Sequence, residues 1–476
     1  MIRLFQQFVP KRKLLLIASE GALLMGAVLV GTSLPGLSTR SLADAGMGEL
    51  IKGLLSAFTV AILCQVSLSY NDLYDWRVSQ NRADLPNRLT HAAGFSFIAL
   101  AVIVFFLPQL FYFPSLPDLR GQTWKLVLVL VLSFSLIYFW RIGFHWFFYK
   151  WGFGERILML GTGTQARQLC SEIRDHPETG YEIVGFLGPS PPNGKTRDWE
   201  APYLGTSDQL PDLALKDRVS RVIVALEDRR GSLPVEELLG CRLAGIRVEE
   251  REALYEKIHG KISLDSLRPS YLIFSSGFRK SRLDLGAKRS VDIVIATAGL
   301  LVGWPLMLIV AVAVKLNSRG PVLLGQRRVG LDGREFDLLK FRSMHAGAEE
   351  RSGPVWALTT DDRITLVGRF IRATRLDELP QLWNILRGDM SFVGPRPERP
   401  FFVEQLRNEL PYYMERLTVR PGLTGWAQIK YAYGASVADS RQKLQYDLYY
   451  IKNMSPLFDL SILLRTIKVI LFGQGR

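Results

Sequence analysis

The residues best suited to chemistry in this chain are two adjacent acids, Asp377 and Glu378, in the string RLDELPQLWN. Carboxylates can act as nucleophiles or bind metal ions. Neighbouring side chains on a helix point about 100° apart, so we expect the two acids to take different roles. Pro380 suits a first helical turn, where the helix macrodipole favours anions and is expected to keep Asp377 ionised. A pair of acids on a solvated helix face is the structural alternative.

Basic side chains are dense around this pair. Transfer of a phosphoryl group between two anionic molecules depends on positive charge that stabilises the transition-state oxygens. Arginine suits this task because its planar fork binds two oxygens at once. The candidate phosphate-binding residues are Arg327, Arg328, Lys340, Arg342, Arg369, Arg372, Arg375 and, between two stiffening prolines, Arg396. Arg369 and Arg372 are three residues apart and share a helix face, which is equally consistent with contact to lipid headgroups.

Four strings in the same region carry a family resemblance. They are GPVLLGQRRVG, KFRSM, GRFIRATRLDELPQLWNILRGDMSFVGPRP and RLTVRPGLTGWAQI. These strings resemble the catalytic domain of the bacterial sugar transferase family, the monotopic polyprenyl-phosphate phosphoglycosyl transferases. The architecture of the whole chain is similar to the large subgroup typified by undecaprenyl-phosphate galactose or glucose phosphotransferases. The resemblance is specific over roughly 288–430 and generic before it.

The resemblance implies a reaction and a role for each acid. Asp377 would be the nucleophile that accepts a sugar phosphate from a UDP-sugar, with release of UMP, and passes it to undecaprenyl phosphate. Glu378 would help to bind Mg²⁺. The reaction would be the first membrane step of exopolysaccharide or O-antigen synthesis. A homodimer is expected, in the bacterial inner membrane.

Four apolar runs of about 20 residues, each long enough to cross a bilayer as a helix, occupy the first part of the chain. They cover roughly 13–34, 49–69, 93–113 and 124–144. Basic residues lie before the first run, between the second and third, and, from Arg141 onwards, after the fourth, which places these segments in the cytoplasm. The sequence therefore predicts a multi-pass protein with a four-helix transmembrane region over 1–149.

An α/β pattern begins at Glu155, where the strand-like RILMLG leads into GTGTQARQLC. It predicts a Rossmann-like, CoA-binding-like domain over 150–255. Gly161, Gly163 and Ala166 fit the G-x-G-x-x-A form of a nucleotide-binding turn. The acid expected after the next strand is missing, because that strand ends in GPSP. A structural or regulatory domain is therefore favoured over a bound nucleotide.

The stretch 256–287 is loop-rich and is predicted to be a linker to an α-rich monotopic catalytic domain over 288–476. That domain opens with a fifth apolar run, in which Pro305 is expected to bend the helix sharply. A re-entrant helix over 288–316 would keep the catalytic domain in the cytoplasm, and a spanning helix is the alternative. Lys288, Arg289 and Asp292 match the start of the family's re-entrant helix, where basic side chains would extend to lipid headgroups.

The C-terminal run LFDLSILLRTIKVILFG predicts a helix that lies in the membrane interface. A buried core helix is the alternative. The apolar side chains expected on one side are Leu460, Leu463, Leu464, Ile467, Ile470 and Leu471.

Composition argues against several other classes of protein. The formal charge of +14 accompanies 48% hydrophobic residues, and the basic residues stand beside apolar runs without a recognisable nucleic-acid-binding module. We therefore predict no nucleic-acid partner. The three scattered cysteines support neither a disulfide framework nor a zinc site.

Two alternative functions stay open. One is a non-catalytic scaffold or regulator of polysaccharide assembly. The other is a membrane-anchored nucleotide-sugar dehydratase, although residues 150–250 lack the Tyr-x-x-x-Lys pair of a dehydratase.

Overall fold

The fold was analysed in a computed structural model that describes most of the chain. The residues outside the description are 5–6, 34–45, 81–82, 114–122, 151–153, 190–200, 228–232, 266, 268, 276, 279, 346–362, 432–433, 435 and 473–476. The described chain forms two compact units. One contains Met1–Ile2 and Val9–Val248, and the other contains Arg3–Phe8 and Glu249–Arg476.

Long apolar helices make up most of the first 150 residues. In chain order the elements are β1 (Ile2–Leu4), β2 (Gln7–Val9), α1 (Lys11–Ser33), α2 (Met47–Tyr70), the short α3 (Trp76–Gln80), α4 (Leu85–Phe106) and α5 (Thr123–Lys150). Within the described residues, α1, α2, α4 and α5 are each long and apolar enough to cross a membrane. Helix α1 packs on α2 and α5, and α4 packs on the same two helices.

The third membrane helix lies earlier in the chain than predicted. The apolar run was placed at 93–113, whereas α4 spans Leu85–Phe106. Pro86 lies in its first turn, where the missing N–H is tolerated. Pro108 follows its end, because proline cannot continue a helix without losing a hydrogen bond. The prediction followed the apolar residues and gave no weight to these two prolines.

Arg141 does not follow the fourth membrane helix, as predicted, but lies inside it. Its side chain is fully buried in α5, and its Nε lies 2.7 Å from Oε1 of Glu20 in α1. Arg141 also donates to the backbone oxygen of Leu73 at 2.5 Å and to Oγ of Ser79 at 3.3 Å. A buried ion pair needs such additional hydrogen bonds to offset its lost hydration. Arg141 therefore joins two helices and is not a signal of topology.

A five-stranded sheet forms the core of the α/β domain. Its strands are β3 (Glu155–Leu160), β4 (Tyr181–Leu187), β5 (Tyr203–Gly205), β6 (Arg221–Val224) and β7 (Arg247–Glu250), and its helices are α6 (Thr164–Asp175), α7 (Leu210–Lys216) and α8 (Val235–Leu243). The strand order is β5-β4-β3-β6-β7, with parallel pairing of β3 to both β4 and β6. Residues 157–160 at its centre are all buried, as expected for a strand covered on both faces. The predicted α/β domain with a parallel sheet is confirmed.

The second unit is mostly helical. Its elements are α9 (Arg251–His259), α10 (Pro269–Phe274), α11 (Arg282–Asn317), β8 (Leu323–Val329), β9 (Glu335–Phe341), α12 (Leu366–Ala373), α13 (Gln381–Arg387), β10 (Ser391–Val393), α14 (Pro400–Glu409), β11 (Gly422–Thr424), α15 (Trp426–Lys430), α16 (Val437–Asn453) and α17 (Pro456–Phe472). The stretch predicted to be a linker, 256–287, is folded into this unit. Ile262 and Leu264 are buried in the same core as Leu448 and Phe458, so this stretch is not a free connection.

The start of α11 is fixed to its own unit by three polar side chains. Lys288 donates to the backbone oxygen of Val393 at 2.9 Å and pairs with Asp459 at 2.5 Å. Arg289 donates to two carbonyl oxygens in the last turn of α13, at 2.5 and 2.7 Å. Asp292 is buried and accepts a bond from the backbone N of Phe392 at 3.1 Å. The expectation that these basic side chains extend to lipid headgroups is wrong, because protein acceptors hold them.

The end of α11 is fixed to the same unit. Arg342 donates to the backbone oxygen of Ser318 at 2.7 Å, and Asn317 accepts a bond from the backbone N of Val367 at 3.4 Å. The helix is continuous over its 36 residues and includes Pro305. Its middle is exposed and apolar, with Leu301, Val302, Trp304, Leu306, Leu308 and Ile309 uncovered by protein.

Helix α17 has two different apolar faces. Phe458 and Ile462 are fully buried in the core of the unit. The opposite face exposes Leu457, Leu460, Leu464 and Ile467. The side chains of Ile470 and Leu471 lie outside the description. The prediction of a buried core helix therefore describes the face with Phe458 and Ile462, and the prediction of an interfacial helix describes the exposed apolar face.

Candidate active site

Asp377 and Glu378 lie in a short 3-10 turn, Leu376–Glu378, between α12 and α13. Arg375, just before the turn, has a φ of 60°, in the left-handed region that non-glycine residues rarely adopt. Pro380 immediately precedes α13, as its predicted place at a helix start requires. Strained backbone of this kind persists only where the surrounding structure holds it, and it is common at functional sites.

Glu378 is surrounded by positive charge. Its Oε1 lies 3.3 Å from Nζ of Lys340, 3.5 Å from Nη2 of Arg396 and 3.8 Å from Nη1 of Arg375. Burial by itself would raise the pKa of Glu378, but the three cations outweigh burial and lower this pKa to about 2. Glu378 therefore carries a negative charge throughout the working pH range of an enzyme.

Asp377 is in a different state from its neighbour. Its side chain is 7% exposed, and in the described part of the chain its carboxylate makes no hydrogen bond or ion pair. Burial raises the pKa of Asp377 above its ordinary value, and the charge of Glu378 adds to this effect, while Lys340 opposes it. The expectation that the helix dipole keeps Asp377 ionised stays a prediction. Among the described residues, nearby charges therefore act on the Asp377 carboxylate without a direct hydrogen bond or ion pair.

Lys340 reaches the acid pair from strand β9 of the β8–β9 hairpin. Because paired residues in an antiparallel hairpin share a face, Lys340 lies on the same face as its partner Leu324. Burial lowers the pKa of Lys340, and the nearby charge of Glu378 opposes this effect. The ammonium group therefore gains its main stabilisation from the acid pair.

Arg396 is positioned through its backbone. Arg328 donates to the backbone oxygen of Pro397 at 2.9 Å. Arg416 donates to the backbone oxygen of Arg396 at 2.9 Å and pairs with Asp447 of α16 at 3.0 Å, and both members of this pair are buried. Arg328, predicted to bind phosphate, is thus a brace for the proline-flanked segment. Arg416 and Asp447 were missed because no local pattern marks a pair that forms only in the folded unit.

Strands β10 and β11 bring the strings GPRP and RPGLTG together. They pair in parallel, with Ser391 opposite Gly422. A Cβ atom on Gly394 would clash with the backbone oxygen of Arg420. Glycine is needed here because only its backbone can approach another strand so closely. The segment that carries Arg396 is therefore placed by this contact as well.

Arg372 lies on the Asp377 side of the site. Its Nε donates to Oγ of Ser343 at 2.9 Å, and its charge lowers the pKa of Asp377. Arg342, another of the candidate phosphate-binding residues, is buried and donates to Ser318 at the end of α11. It therefore caps that helix and does not reach the acid pair directly.

Two other basic candidates point away from the acids. Arg369 lies on the exposed face of α12 together with Leu366 and Phe370, a mixture of charge and apolar surface that suits a lipid interface. Arg327 is exposed and pairs with Glu335 at 3.1 Å. The structure thus brings Lys340, Arg375 and Arg396 together at Glu378 and leaves these two outside.

The donor set around Glu378 fits a magnesium ion shared with a substrate. Among the described residues, no group of three or more His, Cys, Asp and Glu side chains could hold a metal. Mg²⁺ is usually bound through one or two carboxylates together with substrate phosphates and water. Glu378 stays ionised, and its three described cation contacts all involve Oε1. Its remaining oxygen is suited to such a shared metal.

The candidate nucleotide turn of the α/β domain is filled by a protein side chain. It lies at the end of β3, next to β6, where ligands usually bind in this fold. Oε1 of Glu227 accepts bonds from the backbone N of Thr164 at 2.7 Å and from its Oγ1 at 2.5 Å. A Cβ atom on Gly163 would lie 2.6 Å from the same oxygen. Gly161 has a φ of 133° and packs against Ala225. These contacts account for both glycines without a ligand.

Two family models match the chain. The model described as bacterial sugar transferase matches residues 283–473, which include the acid pair and its basic side chains. The model described as CoA-binding domain matches residues 69–232, which include part of the membrane region and most of the parallel sheet.

Several curated relatives are similar over a large part of the chain. The UDP-N-acetylgalactosamine-undecaprenyl-phosphate N-acetylgalactosaminephosphotransferase of Aeromonas hydrophila is 42% identical over 266 residues, 56% of this chain and 62% of that protein. The UDP-glucose:undecaprenyl-phosphate glucose-1-phosphate transferase of Escherichia coli K12 is 33% identical over 333 residues, 69% of this chain and 70% of that protein. The UDP-glucose:undecaprenyl-phosphate glucose-1-phosphate transferase of Caulobacter vibrioides is 44% identical over 186 residues, 39% of this chain and 69% of that protein. The match thus spans less than two thirds of the Aeromonas relative.

Proposed function

Because the chain belongs to the bacterial sugar transferase family, we propose that it transfers a sugar phosphate from a UDP-sugar to undecaprenyl phosphate. The reaction would be the first membrane step in the synthesis of an exopolysaccharide or O-antigen. The relatives named above act on UDP-N-acetylgalactosamine or UDP-glucose and on undecaprenyl phosphate, according to their names. The shared parts of these substrates are a uridine diphosphate and a polyprenyl phosphate.

The difference between the two acids is the observation that carries this proposal. Asp377 is buried and makes no hydrogen bond or ion pair within the described residues. The negative charge of Glu378 is instead balanced by ion pairs with Lys340, Arg396 and Arg375. A nucleophile must keep its lone pairs available, and a raised pKa makes an ionised carboxylate more basic and more nucleophilic. A charge-stabilising group must instead stay ionised and fixed. The roles expected from the family therefore agree with the two environments.

The proposed reaction proceeds in two displacements. An oxygen of Asp377 attacks the β-phosphorus of the UDP-sugar, the bond from that phosphorus to the bridging oxygen breaks, and UMP leaves. An oxygen of undecaprenyl phosphate then attacks the same phosphorus, and the aspartyl–phosphorus bond breaks to restore the carboxylate. Lys340 and Arg396 lie where they can stabilise charge on the transferring phosphoryl oxygens.

Glu378 would hold Mg²⁺ together with the diphosphate of the donor. The bound ion would supply charge stabilisation to the leaving UMP. Lys340, Arg396 and Arg375 fix the Glu378 carboxylate before any substrate arrives. The geometry of the carboxylate therefore does not depend on the ion.

The function is tested by nucleotide release from purified protein in detergent with Mg²⁺ and undecaprenyl phosphate. A panel of UDP-glucose, UDP-galactose, UDP-N-acetylglucosamine and UDP-N-acetylgalactosamine should give UMP with at least one donor, and a lipid-linked sugar diphosphate in equal amount. The scaffold and dehydratase alternatives are not favoured by the relatives. UMP release from none of the donors would revive the scaffold, and a nicotinamide-dependent change in the sugar would indicate the dehydratase.

On its acidic side, the pH profile of kcat/KM should fall as Asp377 becomes protonated. The pKa that governs this acid limb should be higher than the pKa of an ordinary aspartate. Asp377 must be ionised to attack, and because burial raises its pKa, protonation should stop the reaction at a higher pH than it would for a solvent-exposed aspartate. Lys340→Gln should move this limb to higher pH, because the lysine charge lowers the pKa of Asp377. Lys443→Gln, on α16, is the matched control and should leave the limb in place. A limb that moves to lower pH in Lys340→Gln would contradict the assignment.

We propose that α11, bent at Pro305, enters the bilayer and returns, so that the protein contacts lipid while its catalytic unit stays in the cytoplasm at the inner membrane. The start and the end of α11 both bond to the same unit, and the helix between these bonds exposes apolar side chains along its length. A helix that spans the membrane has its ends on opposite sides, which does not suit these bonds. The exposed apolar faces of α12 and α17 would rest on the membrane surface.

The expected homodimer remains a prediction, measurable by mass photometry in nanodiscs.

Cysteine labelling distinguishes a re-entrant helix from a spanning one. Leu283 and Arg319 are exposed residues at the two ends of α11, and each would be replaced by cysteine in a separate variant. In a cysteine-free background, a membrane-impermeant maleimide should label both positions in inverted vesicles and neither in intact spheroplasts. Labelling of the two positions from opposite sides would show a spanning helix.

A further inference from the structure

An open cavity of about 290 Å³ lies on the second unit, lined by residues 324–327 of β8 and residues 399–401 at the start of α14. Ligand cavities usually measure about 300 to 1,000 Å³, so this one can hold a part of a nucleotide sugar and not the whole molecule. A bound nucleotide sugar would therefore extend beyond it.

The cavity is lined by the two segments that also carry Lys340 and Arg396, the β8–β9 hairpin and the proline-flanked segment. Leu324 on its wall is the cross-strand partner of Lys340, which reaches Glu378. Arg399 on the opposite wall lies three residues after Arg396, which also reaches Glu378. A narrow crevice of about 10 Å³, lined in part by Lys340 and Arg396, lies on the same side of the hairpin. A ligand in the cavity would therefore contact the same two segments that supply cations to Glu378.

The lining combines an aromatic surface with positive charge. Phe401 is 61% exposed, and its ring is supported edge-to-face by the buried Phe402, with 5.5 Å between ring centroids. The cavity opens at the N-terminus of α14, where the helix macrodipole is positive. Arg327 and Arg399 add positive charge at the rim, although Arg327 also pairs with Glu335. A rigid exposed ring suits a flat base, and the charged rim suits a phosphate.

We propose that this cavity holds the nucleoside end of the donor, with the pyrimidine base stacked on Phe401 and the α-phosphate directed toward the start of α14. The sugar phosphate would then extend past Arg396 to Asp377. This assignment rests on the proposed function, because it takes the uridine diphosphate of the donor as the ligand. It explains how donors with different sugars share one site for their common part.

Direct binding of UMP tests the assignment without any turnover. Calorimetry would use the full chain in nanodiscs with Mg²⁺ and compare wild type, Phe401→Ala, Phe401→Tyr and Phe370→Ala. Loss of one base–aromatic stack should weaken UMP binding about 10-fold in Phe401→Ala. Phe401→Tyr keeps the ring and should bind like wild type. Phe370→Ala removes another exposed phenylalanine of the same unit and should also bind like wild type.

Steady-state kinetics give a second readout. Phe401→Ala should raise the KM for the donor about 10-fold with a similar kcat, and should leave the KM for undecaprenyl phosphate unchanged. Wild-type UMP affinity in Phe401→Ala, no UMP binding by wild type, or a change confined to the KM of undecaprenyl phosphate would each overturn the assignment. If the proposed function failed but the cavity assignment held, UMP would still bind and Phe401→Ala would still weaken this binding, but no UDP-sugar would release UMP.

Discussion

Asp377→Asn is expected to lower turnover on the order of 10⁴-fold or more, the scale seen when an enzyme loses its nucleophile. The amide has nearly the same shape as the carboxylate but cannot form an acyl phosphate. Asp377 makes no hydrogen bond within the described residues, so its replacement removes no stabilising contact of that kind. The measurement is UMP release with saturating donor and undecaprenyl phosphate.

The matched control for this variant is Asp389→Asn, at the end of α13. Asp389 accepts a bond from Asn384 at 3.3 Å and does not contact the acid pair. It should retain most of the wild-type rate, and both variants should unfold at nearly the wild-type temperature in detergent. Substantial turnover in Asp377→Asn would exclude this residue as the nucleophile.

Glu378→Gln should show the second largest effect, a loss of about 10² to 10³-fold in kcat, together with a higher Mg²⁺ requirement. The pKa of Glu378 is about 2, so the variant removes a charge that is present at every working pH. Lys340, Arg396 and Arg375 would lose their common counter-ion, and the proposed metal would lose its protein ligand. Losses of this size are typical when a fixed electrostatic group is removed from an active site.

A magnesium titration of the rate provides the measurement. Glu404→Gln is the control, since Glu404 is an exposed glutamate on α14 whose described ion pair is only with Arg407. The acid limb of residual activity should also move to lower pH, because the charge of Glu378 raises the pKa of Asp377. A Glu378→Gln protein with the wild-type rate and magnesium dependence would contradict the assigned role.

The features that the sequence predicted well are encoded locally. The N-terminal apolar helices follow from the length of uninterrupted apolar runs, and the parallel sheet follows from short strands that alternate with helices. The limits of α4 were missed because the prediction gave no weight to two prolines, although Pro86 and Pro108 were visible in the string. A closer analysis of the sequence could have corrected this error.

Other features depend on contacts between distant parts of the chain. Arg141 looks like a basic residue after a membrane helix until Glu20, 121 positions earlier, is placed beside it. Lys288 and Arg289 look like headgroup contacts because their acceptors, such as Asp459, lie far along the chain. No single-sequence pattern marks such pairs, since the desolvated partners meet only in the folded protein.

The acid pair shows the same limit. Asp377 and Glu378 are adjacent, and their sequence alone does not reveal that their environments differ. Lys340 and Arg396, which come from a hairpin before the pair and a loop after it, both contact Glu378 and not Asp377. Family resemblance suggested the assignment of roles, and the folded arrangement supplies a physical reason for it.

The most direct test of the central claim is to trap the covalent enzyme. Wild-type protein would be incubated with Mg²⁺ and the preferred UDP-sugar in the absence of undecaprenyl phosphate, and its intact mass would be measured. We expect a mass increase equal to one sugar phosphate, located on Asp377 by peptide mapping, absent in Asp377→Asn and discharged on addition of undecaprenyl phosphate. Turnover with both substrates but no adduct on Asp377 would contradict the account and indicate direct transfer.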